Sequence, residues 1–174
     1  MLARDPVPVQ SDATVAAALA VAAIGAATLL GAWFFQYGLG LAPCPLCLQQ
    51  RVPYYVAVPL AVVVALASRR HAPRGLIIAG LGVVVVAMLI NVGLGIYHSG
   101  IEWKWWPGPQ DCSGPLSPLG SRGLLEQLQS INVVRCDEAP WRFLGLSLAG
   151  YNVLTSGLMA ALALWAIVTE RQRG

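Results

Sequence analysis

Residues 75–97 read GLIIAGLGVVVVAMLINVGLGIY, from Gly75 to Tyr97 without one charged side chain. A helix needs about 20 apolar residues to cross the roughly 30 Å hydrocarbon core of a bilayer, so this stretch marks the chain as built for a membrane. Three further runs meet the same condition: Ala13 to Trp33, Val52 to Ser68 and Leu144 to Thr169. Inside lipid every backbone polar group must find a partner within the segment, which leaves helices as the reading for runs of this length. The fold class expected is an all-α integral membrane protein, a four-transmembrane-helix bundle with helices over about 13–35, 52–68, 75–97 and 144–169. Pro53 and Pro59 make the second helix the one to kink. The first run follows a basic residue and is rich in small residues, like a signal peptide. Its apolar stretch exceeds the about 7–15 residues of a signal core, so it is expected to remain as a helix.

Composition agrees. Of 174 residues, 57% are hydrophobic and 11% charged, against about 45–50% and about 25% in soluble domains. The net charge of +3 is spread thinly, with no basic run or basic helix face, which excludes a nucleic-acid footprint and gives no sign of acidic substrates. No internal repeat divides the chain. One domain is expected over 13–174, after a cytoplasmic tail over 1–12.

Orientation follows from the short connection Arg69-Arg70-His71-Ala72-Pro73-Arg74, which holds three arginines and no acid, and from Arg171 and Arg173 near the end. Short basic loops stay in the cytoplasm, so both termini are expected inside. Arg51, Lys104, Arg122, Arg135 and Arg142 fall on the other side, most of them in a long loop mixed with acids, where the rule carries little weight. The outer loops then cover about 36–51 and 98–143, and hold all four cysteines: Cys44, Cys47, Cys112 and Cys136. Thiols gathered on that side work in an oxidising space. Trp103, Trp105, Trp106 and Trp141 suit the membrane interface, where amphipathic rings collect. Leu124, Leu125, Leu128 and Ile131 recur at helical spacing among polar residues, as in a short interfacial helix lying on the bilayer or packing on the bundle.

The strongest chemical signal is Cys44-Pro45-Leu46-Cys47. This spacing lets two sulfurs close a small disulfide ring and lets one thiol have a lowered pKa. If the second helix starts at Pro45, a favoured first-turn residue, Cys47 lies on its first turn and Arg51 one turn further along the same face. The helix dipole and the guanidinium would then favour a Cys47 thiolate, although Pro53 argues against so early a start. Cys112 and Cys136 form a second pair, and a bond between them would close a long loop and be open to exchange. Two other readings compete. Four cysteines could hold structural zinc, but Cys112 and Cys136 are too far apart for the usual paired knuckles, and no resident metal is expected. Two structural disulfides could staple a scaffold that presents its outer loop. Neither explains an arginine beside a Cys-X-X-Cys at the membrane surface.

The string from Pro43 through Cys44, Cys47 and Gln50 to Arg51 resembles the disulfide bond formation protein B (DsbB) family. So do Tyr97-His98-Ser99-Gly100-Ile101-Glu102-Trp103, Trp106-Pro107-Gly108-Pro109 ahead of Cys112, and Trp141-Arg142-Phe143-Leu144-Gly145-Leu146. The likeness covers nearly the whole chain from the first helix onward. It implies a quinone-dependent protein-disulfide oxidoreductase of the bacterial inner membrane, working as a monomer. A reduced DsbA-like periplasmic oxidase of thioredoxin fold would attack Cys112 of a Cys112–Cys136 disulfide, Cys136 would then engage Cys44, and Cys47 would face a membrane quinone, ubiquinone or menaquinone. Arg51 would hold the quinone oxygen with its fixed cationic donors. His98 would line the quinone site or deliver protons, although a helix-end histidine is as often a plain polar residue. A partner near −120 mV needs an acceptor of high potential, which no protein group here supplies. A vitamin K epoxide reductase-like protein would share the bundle and the quinone chemistry, but there the Cys-X-X-Cys follows the loop cysteines. Asn91, within the third run, is expected to hydrogen-bond between helices.

Overall fold

The computed structural model describes residues 12–109 and 136–172. Helix α1 spans Asp12–Trp33 and runs into a π-helical turn over Phe34–Gly38. Helix α2 spans Pro45–Arg69, α3 spans Arg74–Glu102, and α4 spans Leu148–Gln172. All four are long and apolar enough to cross a membrane. They pack in a closed ring, α1 on α2, α2 on α3, α3 on α4 and α4 on α1. The chain is thus a multi-pass membrane protein with a four-helix fold.

The interior is lined by small residues, among them Ala18, Ala57, Ala61, Ala163 and Ala166, while Leu30, Leu76, Val86, Leu154 and Leu158 point outward. Lipid is as apolar as leucine, so helices gain little by hiding large side chains from it. Small residues bring backbones into van der Waals contact instead. Gly95 shows how close: a Cβ there would lie 2.7 Å from Val153 of α4.

Three boundaries differ from the sequence expectation. Helix α2 begins at Pro45 rather than Val52, placing the Cys-X-X-Cys on its first turn, and keeps both Pro53 and Pro59 inside it. The π-helical turn carries the first span as far as Gly38, so little of the expected first outer loop is left. Helix α4 starts at Leu148, after a tiny antiparallel hairpin in which β1 (Arg142–Phe143) pairs with β2 (Leu146–Ser147). Its two turn residues, Leu144 and Gly145, have φ of 50° and 82°, the double positive φ of a type I′ turn. Ser147 then opens α4, its hydroxyl accepting from Gly150 N–H at 3.2 Å, as an N-cap does. Asn91 donates to Asn152 Oδ1 and Ser156 Oγ on α4, the interhelical bonding expected of it. Cys112 and the Leu124–Ile131 stripe lie outside the described residues.

Candidate functional site

The C-terminal ends of α1 and α3 meet the N-terminal ends of α2 and α4 at one end of the bundle. A cavity of about 450 Å³ opens there, lined by Cys44, Cys47, Arg51, His98 and Glu102, with Leu29, Ala32, Phe35 and Leu148 among its apolar walls. Its size and mixed lining suit a small organic ligand. The structure therefore brings four of the six candidate site residues into one chamber.

Cys44 is the N-cap of α2 and Pro45 its first helical residue. Proline fits there because its missing N–H would have had no partner anyway. The cap places Cys44 Sγ over the positive end of the helix, where it accepts from Cys47 N–H at 3.3 Å. Cys47 Sγ lies 3.0 Å from Cys44 Sγ, and His98 Nε2 lies 3.7 Å away. Both cysteines are free thiols. With the Cys47 N–H and the His98 ring both facing Cys44 Sγ, that sulfur is the better acceptor, and the proton between the two sulfurs is assigned to Cys47. The Cys47 thiol, working against burial and helped by His98, lowers the Cys44 pKa to about 4. The stabilised thiolate is therefore Cys44, where sequence reasoning had favoured Cys47.

Arg51 explains the difference. Its guanidinium turns toward α1, donating to Gln36 Oε1 at 2.6 Å and lying 3.5 Å from the Ala32 carbonyl. It lines the same cavity as Cys47, but its hydrogen bonds go to α1 rather than to a sulfur.

Cys136 is buried and disulfide-bonded. It packs in a small apolar cluster with Cys44, Leu46 and Ile101, against which Cys47 also rests. Lys104 holds the neighbouring Asp137 through a 2.6 Å ion pair.

Residues to which sequence reasoning gave no role complete the site. Gln50 Nε2 lies 2.8 Å from His98 Nδ1, and Asn152 Nδ2 donates to Gln50 Oε1 at 2.7 Å. Glu102 Oε1 lies 3.9 Å from His98 Nε2, and Glu102 Oε2 has no hydrogen-bond partner among the described residues. Polar residues within an apolar run are a functional signal in their own right, and Asn152 was legible on that ground. Cys44 Sγ, Cys47 Sγ and His98 Nε2 also lie within 4.8 Å of one another, near enough to share a metal ion.

A multi-pass membrane protein with a dithiol packed against a disulfide-bonded cysteine belongs to the class that handles protein disulfides. A family model described as "Disulfide bond formation protein DsbB" matches residues 14–166. A disulfide bond formation protein B from Azoarcus sp. (strain BH72) is 35% identical over 161 residues, covering 89% of this chain and 93% of that protein. One from Xanthomonas campestris pv. campestris (strain 8004) is 32% identical over 150 residues, covering 82% and 81%. No solved structure matches the chain. The chain belongs to the DsbB family of disulfide bond formation proteins, and with it to the membrane disulfide oxidoreductases.

Proposed function

We propose that this protein reoxidises a DsbA-like periplasmic dithiol oxidase and passes the electrons to membrane quinone, from the bacterial inner membrane, with both termini cytoplasmic and the cysteines periplasmic. The observation that carries the reading is the single chamber at the end of the bundle, which Cys44, Cys47, Arg51 and His98 share while Cys136 packs on Cys44.

A thiolate of the reduced partner attacks Cys112 of a Cys112–Cys136 disulfide, forming a mixed disulfide and releasing Cys136 as thiolate. Cys136 attacks Cys44 of an oxidised Cys44–Cys47 pair, the Cys44–Cys136 bond forms, and Cys47 leaves as thiolate. The partner's second thiolate then attacks its own mixed-disulfide sulfur and departs oxidised, returning Cys112 as thiolate. Cys112 attacks Cys136, restoring the Cys112–Cys136 bond and leaving Cys44 and Cys47 as the dithiol. In the structure Cys44 and Cys47 are free while Cys136 is disulfide-bonded, and the thiolate next to Cys136 is Cys44. Exchange in either direction therefore passes through one bond, Cys44–Cys136. A thiolate held low also stabilises the reduced form, which makes the pair a stronger oxidant.

The chamber fits a quinone ring. Its walls are largely apolar, Arg51 keeps donors beyond those bound to Gln36, and Glu102 Oε2 is a buried polar atom without a partner among the described residues. Arg51 and His98 would hold the ring oxygens, and a bound quinone supplies an acceptor for two electrons and two protons. Cys47 keeps the proton that must leave with the second sulfur's electrons, and Phe35 and Leu148 stand among the apolar walls.

The test mixes detergent-purified protein with a reduced thioredoxin-fold oxidase and a soluble quinone analogue and follows quinone absorbance. Catalytic turnover that collapses when any one of the four cysteines is replaced supports the relay. Full turnover in Cys44→Ser or Cys136→Ser contradicts it.

A further inference from the structure

Buried amides linked head to tail fix the position of one proton on His98. Asn152 Oδ1 on α4 accepts from the Tyr54 hydroxyl at 2.7 Å and from Asn91 Nδ2 at 3.2 Å. Its Nδ2 is left for Gln50 and donates to Gln50 Oε1 at 2.7 Å. With that oxygen engaged, Gln50 turns Nε2 to His98 Nδ1, 2.8 Å away. An amide nitrogen only donates, so Nδ1 is the acceptor, and a neutral imidazole accepting at Nδ1 carries its hydrogen on Nε2. Tyr54, Asn91, Gln50, His98 and Asn152 are all buried, which shields the order of donors from exchange with solvent.

We infer that Gln50 and Asn152 are positioning residues that set the tautomer of His98, holding its N–H at Nε2, on the side facing Cys44. That nitrogen lies 3.7 Å from Cys44 Sγ, within reach of a hydrogen bond to sulfur, and 3.9 Å from Glu102 Oε1, near enough for electrostatic attraction alone. The other groups around Cys44 and His98 are Cys47 of α2 and Cys136, whose backbone accepts from the His98 ring, with Arg142 of the hairpin acting on Glu102. Gln50 is the side chain placed at Nδ1, and as a donor there it leaves the ring hydrogen on Nε2.

Two consequences follow. A donating Nε2–H stabilises the Cys44 thiolate, which a bare ring nitrogen in that place could not do. A protonated Nε2 also withholds the lone pair that would complete a metal site with the two sulfurs, since a ligating histidine must offer a bare nitrogen. The amide chain thus keeps a Cys-Cys-His cluster from closing on a thiophilic cation when the dithiol is reduced. The benefit to electron transfer rests on the function proposed above; the tautomer does not.

NMR of the histidine ring nitrogens in detergent-solubilised, reduced protein tests this directly, because only His71 and His98 contribute and His98→Ala assigns the signals. Wild-type His98 is expected as the Nε2–H tautomer at pH 8. In Gln50→Glu an ionised carboxylate at Nδ1 must accept, and in Asn152→Asp the carboxylate turns Gln50 around so that Oε1 faces the ring. Both should move the hydrogen to Nδ1. Cys44 alkylation at pH 5–6 should then slow by about tenfold for each unit its pKa rises beyond the assay pH, since the thiolate is the nucleophile. Cd²⁺, read by its thiolate absorbance, should bind both reduced variants more tightly than wild type. The Nδ1–H tautomer in wild type overturns the inference, whatever the variants do. An unchanged tautomer in folded Asn152→Asp, which never touches the ring, overturns it as well. Failure of quinone reduction in wild type would refute the proposed function and leave the tautomer standing.

Discussion

Protonation of Cys44 should leave a measurable mark on the potential of the Cys44–Cys47 pair. With its pKa lowered to about 4, Cys44 is a thiolate at every pH from about 5 upward, while Cys47 keeps the proton it donates. The sign is fixed by which state gains. A depressed thiol pKa stabilises the reduced form above that pKa, and the gain grows by about 1.4 kcal/mol per pH unit until the ordinary thiol range is reached. At pH 7, some three units above the lowered pKa, the dithiol is favoured by about 4 kcal/mol over a pair with an ordinary thiol. With about 30 mV for each 1.4 kcal/mol, the pair becomes more oxidising by about 90 mV. Below pH about 4 the gain vanishes. Reduction between pH 5 and 8 then takes up one proton for two electrons, so the potential should fall by about 30 mV per pH unit rather than about 60 mV. The assay equilibrates Cys112→Ser/Cys136→Ser protein, which retains one disulfide, with thiol redox buffers across that range. Alkylation and mass spectrometry then give the reduced fraction. A slope near 60 mV per unit would show that both thiols are protonated and would refute the N-cap thiolate.

Arg51→Ala should raise the KM for a quinone analogue by about ten- to a hundredfold, the loss of about 1.5–3 kcal/mol for a charge-assisted hydrogen bond, with a smaller change in kcat; steady-state kinetics at varied quinone reads the split. Leu144→Gly should raise thermal stability by about 1 kcal/mol, because a β-carbon is disfavoured at a φ of 50°, whereas Gly145→Val should lower it; melting curves in detergent compare them. Gly95→Leu should destabilise the bundle by several times more than Gly93→Leu, since a Cβ at Gly95 meets Val153 at 2.7 Å while Gly93 faces open space. Thermal unfolding of the two variants checks the difference.

The helices were legible because an uncharged run of membrane length has one viable conformation in lipid, and the residues between Gly75 and Tyr97 needed no tertiary information. Of the candidate site residues that the chamber gathers, Cys44, Cys47 and Arg51 stood out by spacing and charge, while His98 stood out through the family resemblance. What the sequence hid depends on geometry. Pro53 argued against a helix starting at Pro45, yet a proline disturbs only the hydrogen bond it cannot donate and the carbonyl one turn back, and α2 runs through it. Leu144 and Gly145 sit in an apolar string that periodicity assigns to a helix, and only positive φ at both reveals the turn. The choice between Cys44 and Cys47 as thiolate needed the N-cap, because both sulfurs share the same sequence neighbours. Gln50 and Asn152 looked like isolated polar residues until α2 and α4 were set side by side.

On the proposed relay Cys44 and Cys136, packed together in one apolar cluster beside the chamber, exchange a bond. Protein carrying Cys47→Ser and Cys112→Ser keeps only those two cysteines, and mild oxidation followed by alkylation and peptide mass spectrometry reads their fate. The account predicts a Cys44–Cys136 disulfide within one chain in most of the folded protein. Two fully alkylated cysteines, with the helical bundle intact, would contradict it.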